Sequence, residues 1–401
     1  MTRSKFNLSI IYFLFAAAAF SMLVSLFLIQ LFVGLLSLFW LFESGRNKKN
    51  ALDIFSLLII IFGLVRILSV FFSQYPSISY QAFYKDALFY LGFFSMSFYA
   101  KVLDKEKIIK IVYAFIAGAI LVAVIGLIQF NLKLVDRAEA FSSGYATYSS
   151  FLLAALGLYI VTPFPKTKKF DWLAWAAGIS LFLAGIITSQ GRTNIAVAVL
   201  VIAAGLVTKK IGFKPAVFIL IFTIIISLLS FSNNKKEITQ RVENPTTLSD
   251  RNIILKGAED LAFVHPLLGY GPRTFHQVFP YRNQLADQGI GSWHNDFIQV
   301  YFESGLLGLI SFIVILTTAL WYGIKFYFKE NNIEDKNLSF GISLALIALV
   351  LSSLTAGFID SPVLSIEFAF LISLLPRVIS LPKLLRENKI INNHKPGNIY
   401  G

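Results

Sequence analysis

IIKIVYAFIAGAILVAVIGLIQF, residues 108–130, carries one charge, Lys110, in 23 positions. As an α-helix the run extends about 35 Å, enough to cross a hydrocarbon core of roughly 30 Å. Its apolar residues are continuous, without a strand's alternation, and backbone groups in lipid must be satisfied within the segment or by closing a barrel. A membrane-spanning helix is the reading that fits both facts. Working outward, comparable runs lie at 7–23, 25–42, 52–72, 86–100, 146–162, 171–188, 193–208, 215–232, 303–324, 338–358 and 363–380. The expectation is an all-α polytopic membrane protein with about twelve spans.

Composition agrees. Of 401 residues, 56% are hydrophobic and 14% charged, which excludes a soluble domain with a polar surface. Arg3 and Lys5 precede the first apolar run, and with no cleavage site ahead of a polar mature domain it reads as a retained helix. The absence of cysteine excludes disulfides, thiolate metal sites and cysteine nucleophiles. Net charge is +13, concentrated in alternate loops: Arg46, Lys48 and Lys49; Lys101 to Lys110; Lys166, Lys168 and Lys169; Lys209, Lys210 and Lys214; Lys325, Lys329 and Lys336; and the basic tail. By the positive-inside rule these loops and both termini are expected in the cytoplasm. The organisation expected is nine spans over 1–232, a large external loop over 233–302, three spans over 303–380 and a cytoplasmic tail over 381–401.

The external loop is where function is sought, since long loops are usually functional or disordered. Its helical signals favour order. Thr247 and Asp250 have capping-box spacing, Ile254, Ala258, Leu261 and Ala262 share a face, and His265-Pro266 is a stop, which together predict an amphipathic helix over 247–264 on the membrane side of the loop. Gly269-Tyr270-Gly271-Pro272 is a turn, and Ser292-Trp293-His294-Asn295 leads into the next span. Seven Lys or Arg balance seven Asp or Glu between Asn233 and Tyr301, so no broad polyanion surface is present and nucleic acid is not an expected partner.

Three blocks carry a family resemblance. They are Thr188-Ser189-Gln190-Gly191-Arg192-Thr193; Ser249-Asp250-Arg251 through the helix to His265-Pro266-Leu267-Leu268-Gly269-Tyr270-Gly271-Pro272-Arg273-Thr274-Phe275; and His294-Asn295-Asp296-Phe297-Ile298-Gln299-Val300-Tyr301-Phe302-Glu303-Ser304-Gly305-Leu306-Leu307-Gly308. In order and spacing they resemble the O-antigen ligase and polymerase superfamily, although the first block reads Gly-Arg where the family reads Arg-Gly. The resemblance implies a GT-C-like bundle in the bacterial inner membrane with its active site on the periplasmic face. It also implies inverting, metal-independent transfer of a glycan, with no cofactor, from an undecaprenyl diphosphate donor to a hydroxyl acceptor, a lipid A core sugar in the ligases. Membrane lipids and the lipid-linked glycan are the partners implied.

The residues permit that chemistry. Arg192 stands at an external helix start, where free amides favour an anion, and an interfacial arginine snorkelling to headgroups is the competing reading. Arg251 lies in the first turn of the loop helix, placed either to meet a phosphate or to form a surface ion pair with Asp250 or Glu243. His294 is the candidate base, preceding a helix whose positive end disfavours imidazolium; a packed interfacial histidine beside Trp293, or one that only hydrogen-bonds the acceptor, is the competing reading. Asn295 and Asp296 orient that ring or cap the helix. Arg273, Asn295, Gly271 and Glu303 are the candidate substrate contacts, Gly271 through its backbone, while His265 and His276 read as structural. Arg66 lies within an apolar run and is costly unless paired; Glu367 stands at a matching depth as a partner, and an Arg66 facing a wet cavity is the competing reading. Asp86, Arg137 and Asp360 share the external side.

Two alternatives share the donor class: a repeat-unit polymerase, and a protein O-oligosaccharyltransferase, which usually brings further external or C-terminal sequence. From another class, a lipid-linked glycan transporter predicts charged or broken midplane helices in two related halves, and the halves here are unlike. No His or carboxylate cluster has metal-ligand spacing.

Overall fold

The computed structural model describes residues 5–161, 171–232, 250–285 and 290–376, and its regular elements are all helical. Ten helices precede the large loop: α1 (Lys5–Ser21), α2 (Leu26–Leu41), α3 (Gly45–Ala51), α4 (Ile54–Phe71), α5 (Pro76–Val102), α6 (Lys105–Asn131), α7 (Tyr145–Val161), α8 (Asp171–Thr188), α9 (Arg192–Val207) and α10 (Phe213–Ser232). The loop contributes α11 (Arg251–Leu261) and the single turn α12 (Phe275–Val278). Then come α13 (Asp296–Lys329), α14 (Ile333–Ser352) and α15 (Leu364–Pro376). Starts are set locally: Asp53, Asp104, Asn295 and Asn332 each accept backbone N–H groups of their helix's first turn.

Six helices, α4, α6, α8, α10, α13 and α14, are long and apolar enough to cross a bilayer; α2 with α3 forms a pair bent by 112°. α1, α7, α9 and α15 are shorter apolar helices. This is a multi-pass all-α membrane protein. α7 and α15 are sheathed by their neighbours, whereas α10 presents Leu220, Ile221, Leu228 and Leu229 outward as a lipid-facing helix does. Close packing rests on small residues. A Cβ on Gly157 of α7 would sit 2.7 Å from the Ala345 backbone nitrogen of α14, so these two backbones touch.

Cross-contacts divide the loops between two ends. At one end Lys101 pairs with Asp53, Lys105 reaches Glu334 and Asp335 at 3.0 Å, and Lys210 donates to Asn337. At the other, Ala138 N–H donates to the Thr188 carbonyl, Gln190 to that of Asp136, and Arg251 to that of Thr355. This is the alternation that the charge pattern predicts. Cations expected at Arg3, Lys166, Lys168 and Lys169, and in the 381–401 tail, lie outside the described residues, as do 233–249 of the large loop.

Two boundaries shift. The loop helix expected over 247–264 spans Arg251–Leu261, and Asp250 precedes it in a left-handed conformation (φ 58°) with no side-chain cap, so the capping-box expectation fails at Asp250; Thr247 lies outside the described residues. The span expected from 303 begins at Asp296 and is interrupted at Gly305 (φ 63°). There Leu306 N–H donates to Pro266 O at 2.7 Å and Tyr270 N–H to Phe302 O at 2.7 Å, so the loop segment 266–270 takes over hydrogen bonds that the helix gives up. Around this segment the loop builds its own aromatic core, Trp293 stacking on Phe302 with centroids 4.0 Å apart and meeting Phe275 edge-on at 5.0 Å.

Candidate functional site

The connection after α14 gathers the three sequence blocks. Just after the first, Asn194 accepts the Ser352 hydroxyl at 2.7 Å and donates to Ser149 of α7 at 2.6 Å; two residues before it, Arg192 opens α9, with its side chain exposed. From the second, Arg251 Nη2 donates to the Thr355 carbonyl at 3.1 Å. From the third, Asn295 Nδ2 donates to Leu354 O at 3.2 Å, and Asp296 N–H to Ser353 O at 3.1 Å. The buried Asp296 carboxylate accepts the N–H groups of Phe358 (2.8 Å) and Ile359 (3.3 Å), closing the turn from outside. Asn295 also caps α13 by accepting from Phe297 and Ile298, as the capping reading expects, whereas Asp296 caps no helix and instead holds the 358–359 backbone.

His294 stands half-buried between the buried Trp293 and this cap, with φ 51°. Left-handed backbone is uncommon outside glycine; it occurs at seven described non-glycine residues, among them the candidates Arg273 and His294 and Asp250 next to Arg251. Of the ion-pair partners weighed for Arg251, Glu243 lies outside the described residues.

A second polar group lies deeper. Arg66 Nη2 pairs with Asp86 at 2.8 Å and Nη1 with Glu303 at 3.0 Å. The pairing expected with Glu367 is therefore wrong. Carboxylates from α5 and α13 converge on the guanidinium, while Glu367 is fully buried on α15 with neither oxygen hydrogen-bonded among the described residues. Glu303 also accepts the Arg273 backbone N–H at 2.7 Å and Gln299 Nε2 at 2.5 Å. Arg273 Nη2 reaches Asp86 at 3.2 Å. Gln299 donates to Asp360 at 2.9 Å and accepts from Trp293 N–H at 2.8 Å, linking this cluster to the residue before His294. Burial, then Glu303, pushes the Asp360 carboxyl well above the usual carboxylate range against the pull of Arg66 and Arg273. Burial alone would lower Arg273, but Asp360, Asp86 and Glu303 outweigh it and hold the guanidinium above its ordinary value.

Beneath the cluster is a cavity of about 630 Å³, within the range of small-molecule sites. Arg66, Lys85, Asp86, Arg273 and Asp360 supply its polar side; Phe62, Phe89, Phe312, Phe358 and Phe368 wall the rest. Asp86 and Asp360 line it as their shared side implies. Arg137 does not, its guanidinium lying 4.0 Å over the Tyr145 ring. Gly271 (φ 101°) has no room for a Cβ, which would fall 2.3 Å from the hydroxyls of Ser73 and Ser79, so it serves the backbone approach that lets Ser73 hold the Tyr270 carbonyl. Glu303, Arg273 and Gly271 thus belong to the deep group; Arg251, His294 and Asn295 belong to the rim, with Arg192 two residues before Asn194 at the start of α9. His265 bonds Gln74 at 2.8 Å and stacks edge-on with Tyr270, a structural role; burial and nearby Arg282 lower His276.

Gln299 and Lys85 were given no role from sequence. Gln299 had a signal: with Asp296 and Glu303 it forms a polar stripe at i, i+3 and i+7 at the start of an apolar helix.

Residues 177–313 match the family model described as O-antigen ligase (Wzy_C), a segment that contains all three blocks. Over that segment the chain is similar to O-antigen ligases. It is also similar to the exopolysaccharide production protein ExoQ of Rhizobium meliloti (strain 1021), 25% identical over 307 residues that cover 71% of this chain and 69% of that protein. The family match begins in α8 and ends in α13, past the Gly305 break, so it covers Arg192, Arg251, His294 and Asn295 together with Gly271, Arg273, Gln299 and Glu303. Arg66, Lys85, Asp86 and Asp360 lie outside it.

Proposed function

We propose that the chain is a GT-C-like membrane glycosyltransferase of about twelve spans in the bacterial inner membrane, acting on the external face with both termini in the cytoplasm. It moves a glycan from an undecaprenyl diphosphate carrier to a hydroxyl acceptor. The observation that carries this reading is the convergence of Arg251, Asn295 and Asp296, from the second and third blocks, and of Asn194, the residue after the first, on residues 352–359. Around that turn Arg192 and Arg251 supply fixed cations for the diphosphate, and guanidinium does so without changing protonation state. His294 takes the acceptor's proton as its oxygen attacks the anomeric carbon; the bond from that carbon to the diphosphate oxygen breaks on the opposite face, and polyprenyl diphosphate leaves. Configuration inverts in the one displacement, with no metal and no covalent intermediate. The aromatic-walled cavity seats the first units of the carrier's chain.

Lipid A core is the acceptor in the first reading. The similarity to a protein named for exopolysaccharide production favours a second, in which the acceptor is another lipid-linked glycan and the product a longer chain. Incubating the purified protein in EDTA with undecaprenyl diphosphate-linked glycan and lipid A core separates them. Core glycosylation, lost in His294→Ala and Arg251→Ala at equal folding, supports the ligase; elongation of the donor supports the polymerase. Folded protein that catalyses neither overturns the proposal.

A further inference from the structure

The loop exposes an apolar patch that the proposed chemistry leaves unused. Phe263 is 89% exposed, Leu267 64% and Val264 54%, and Leu255 on α11 is 53% exposed, although Ile254, Gly257 and Ala258 of that helix are buried. Such side chains on an external loop are costly in water when they form one surface.

The patch does not end at the loop. Leu306 N–H bonds Pro266 O, and Leu307 N–H bonds Leu267 O, across the α13 break. Leu306, Leu307 and Ile310, the first residues past that break, are themselves 44–50% exposed on a helix long and apolar enough to span a bilayer. A Cβ at Gly305 would sit 2.1 Å from the Leu267 carbonyl, so the two segments are in backbone contact. Segment 263–267 therefore continues, by hydrogen bonds, a surface that faces lipid. The exposed face of α11 itself is mixed, with Lys256, Glu259 and Asp260 exposed beside Leu255, so the continuous apolar surface is that of 263–267.

We propose that residues 263–267 form a wedge inserted into the bilayer leaflet on the loop's side, with acyl chains around Phe263, Val264 and Leu267 and the charged residues of α11 in water. The wedge joins α11, which carries Arg251, to the Tyr270–Arg273 turn, and His265 within it bonds Gln74 just beyond α4. It fixes the rim and the deep cluster at a set depth relative to the membrane, as interfacial apolar segments do. This inference rests on the multi-pass membrane fold and on no particular reaction.

The chain has no cysteine, so single substitutions give unique probes. Phe263→Cys, Leu267→Cys, Leu307→Cys and Lys256→Cys are each labelled with a small fluorophore in lipid nanodiscs and exposed to acyl-brominated lipid or aqueous iodide. Leu307→Cys reports lipid and Lys256→Cys reports water. The expected result is loss of fluorescence at 263 and 267 to brominated lipid comparable with that at 307, and iodide quenching well below that at 256. Iodide quenching at 263 equal to that at 256 overturns the wedge. Protection from both quenchers also overturns it, since a protein surface, a second copy included, would then cover the patch. Elution as a folded species keeps each variant interpretable, and the conservative Leu267→Cys serves if Phe263→Cys fails to fold.

Discussion

The rim and the deep cluster sit on either side of one turn, residues 352–360, yet they use charge in opposite ways. At the rim, Arg251 bonds a backbone carbonyl and Asn295 caps a helix while reaching Leu354; these side chains keep donors and exposure that a substrate can use. In the cluster, Arg66 and Arg273 are matched against Asp86, Glu303 and Asp360, two of them through direct pairs near 3 Å. Charges buried together satisfy each other at a large desolvation cost and hold elements in place, whereas partly exposed charges remain available. Substitutions in the cluster should therefore act first on stability, and those at the rim first on transfer.

The largest effect is expected at Glu303. Glu303→Ala leaves the Arg273 amide and Gln299 short of an acceptor and Arg66 with Asp86 alone, and removing one member of a buried pair costs about 3–5 kcal/mol. Thermal unfolding in detergent, followed by tryptophan fluorescence, measures it. Arg251→Ala should cost less, about 1–3 kcal/mol for a charged hydrogen bond, while abolishing transfer. Equal losses in the two variants would erase the distinction between the regions.

Asp360 sharpens it through pH. Its carboxyl is pushed above the usual range, so the folded state binds the proton more tightly than the unfolded state does. The linked stability is full below the ordinary carboxylate value near 4 and is lost as pH rises from there through the raised folded value. Asp360→Asn, which still accepts from Gln299, removes this dependence. Melting temperatures of wild type and variant should draw together at low pH and separate in the variant's favour as pH rises; parallel curves would mean that Asp360 ionises as freely folded as unfolded.

What the sequence made legible follows the same division. Spans are written in runs of consecutive residues, so each of the twelve expected segments overlaps a helix of the fold, and six of those helices are long and apolar enough to cross a bilayer by themselves. The rim is written in short motifs, and Arg251, His294 and Asn295 could be named from them, as could Arg192. The cluster is not local. Arg66, Asp86, Arg273, Glu303 and Asp360 come from five places along the chain, and matching depth alone paired Arg66 with Glu367 when two nearer carboxylates hold it. Depth gives one coordinate of a side chain, and the rotation of each helix gives the others. The α13 start was misplaced for a related reason: Asp296, Gln299 and Glu303 make its first turns polar, so hydropathy begins the span where the charges stop.

The smallest effect belongs to Asn295 and separates its two roles. As N-cap it accepts the Phe297 and Ile298 amides, and through Nδ2 it ties the His294 segment to Leu354. Asn295→Ala loses both and should cost about 1 kcal/mol, the usual worth of a cap. Asn295→Asp keeps the cap, and its negative charge suits a helix N-terminus, but it cannot donate to the Leu354 carbonyl. If the tie positions His294, transfer falls in both variants while stability falls only in alanine. If transfer survives in Asn295→Asp, the 352–355 turn is a scaffold beside the site, and the convergence that supports the proposed reaction loses one of its anchors.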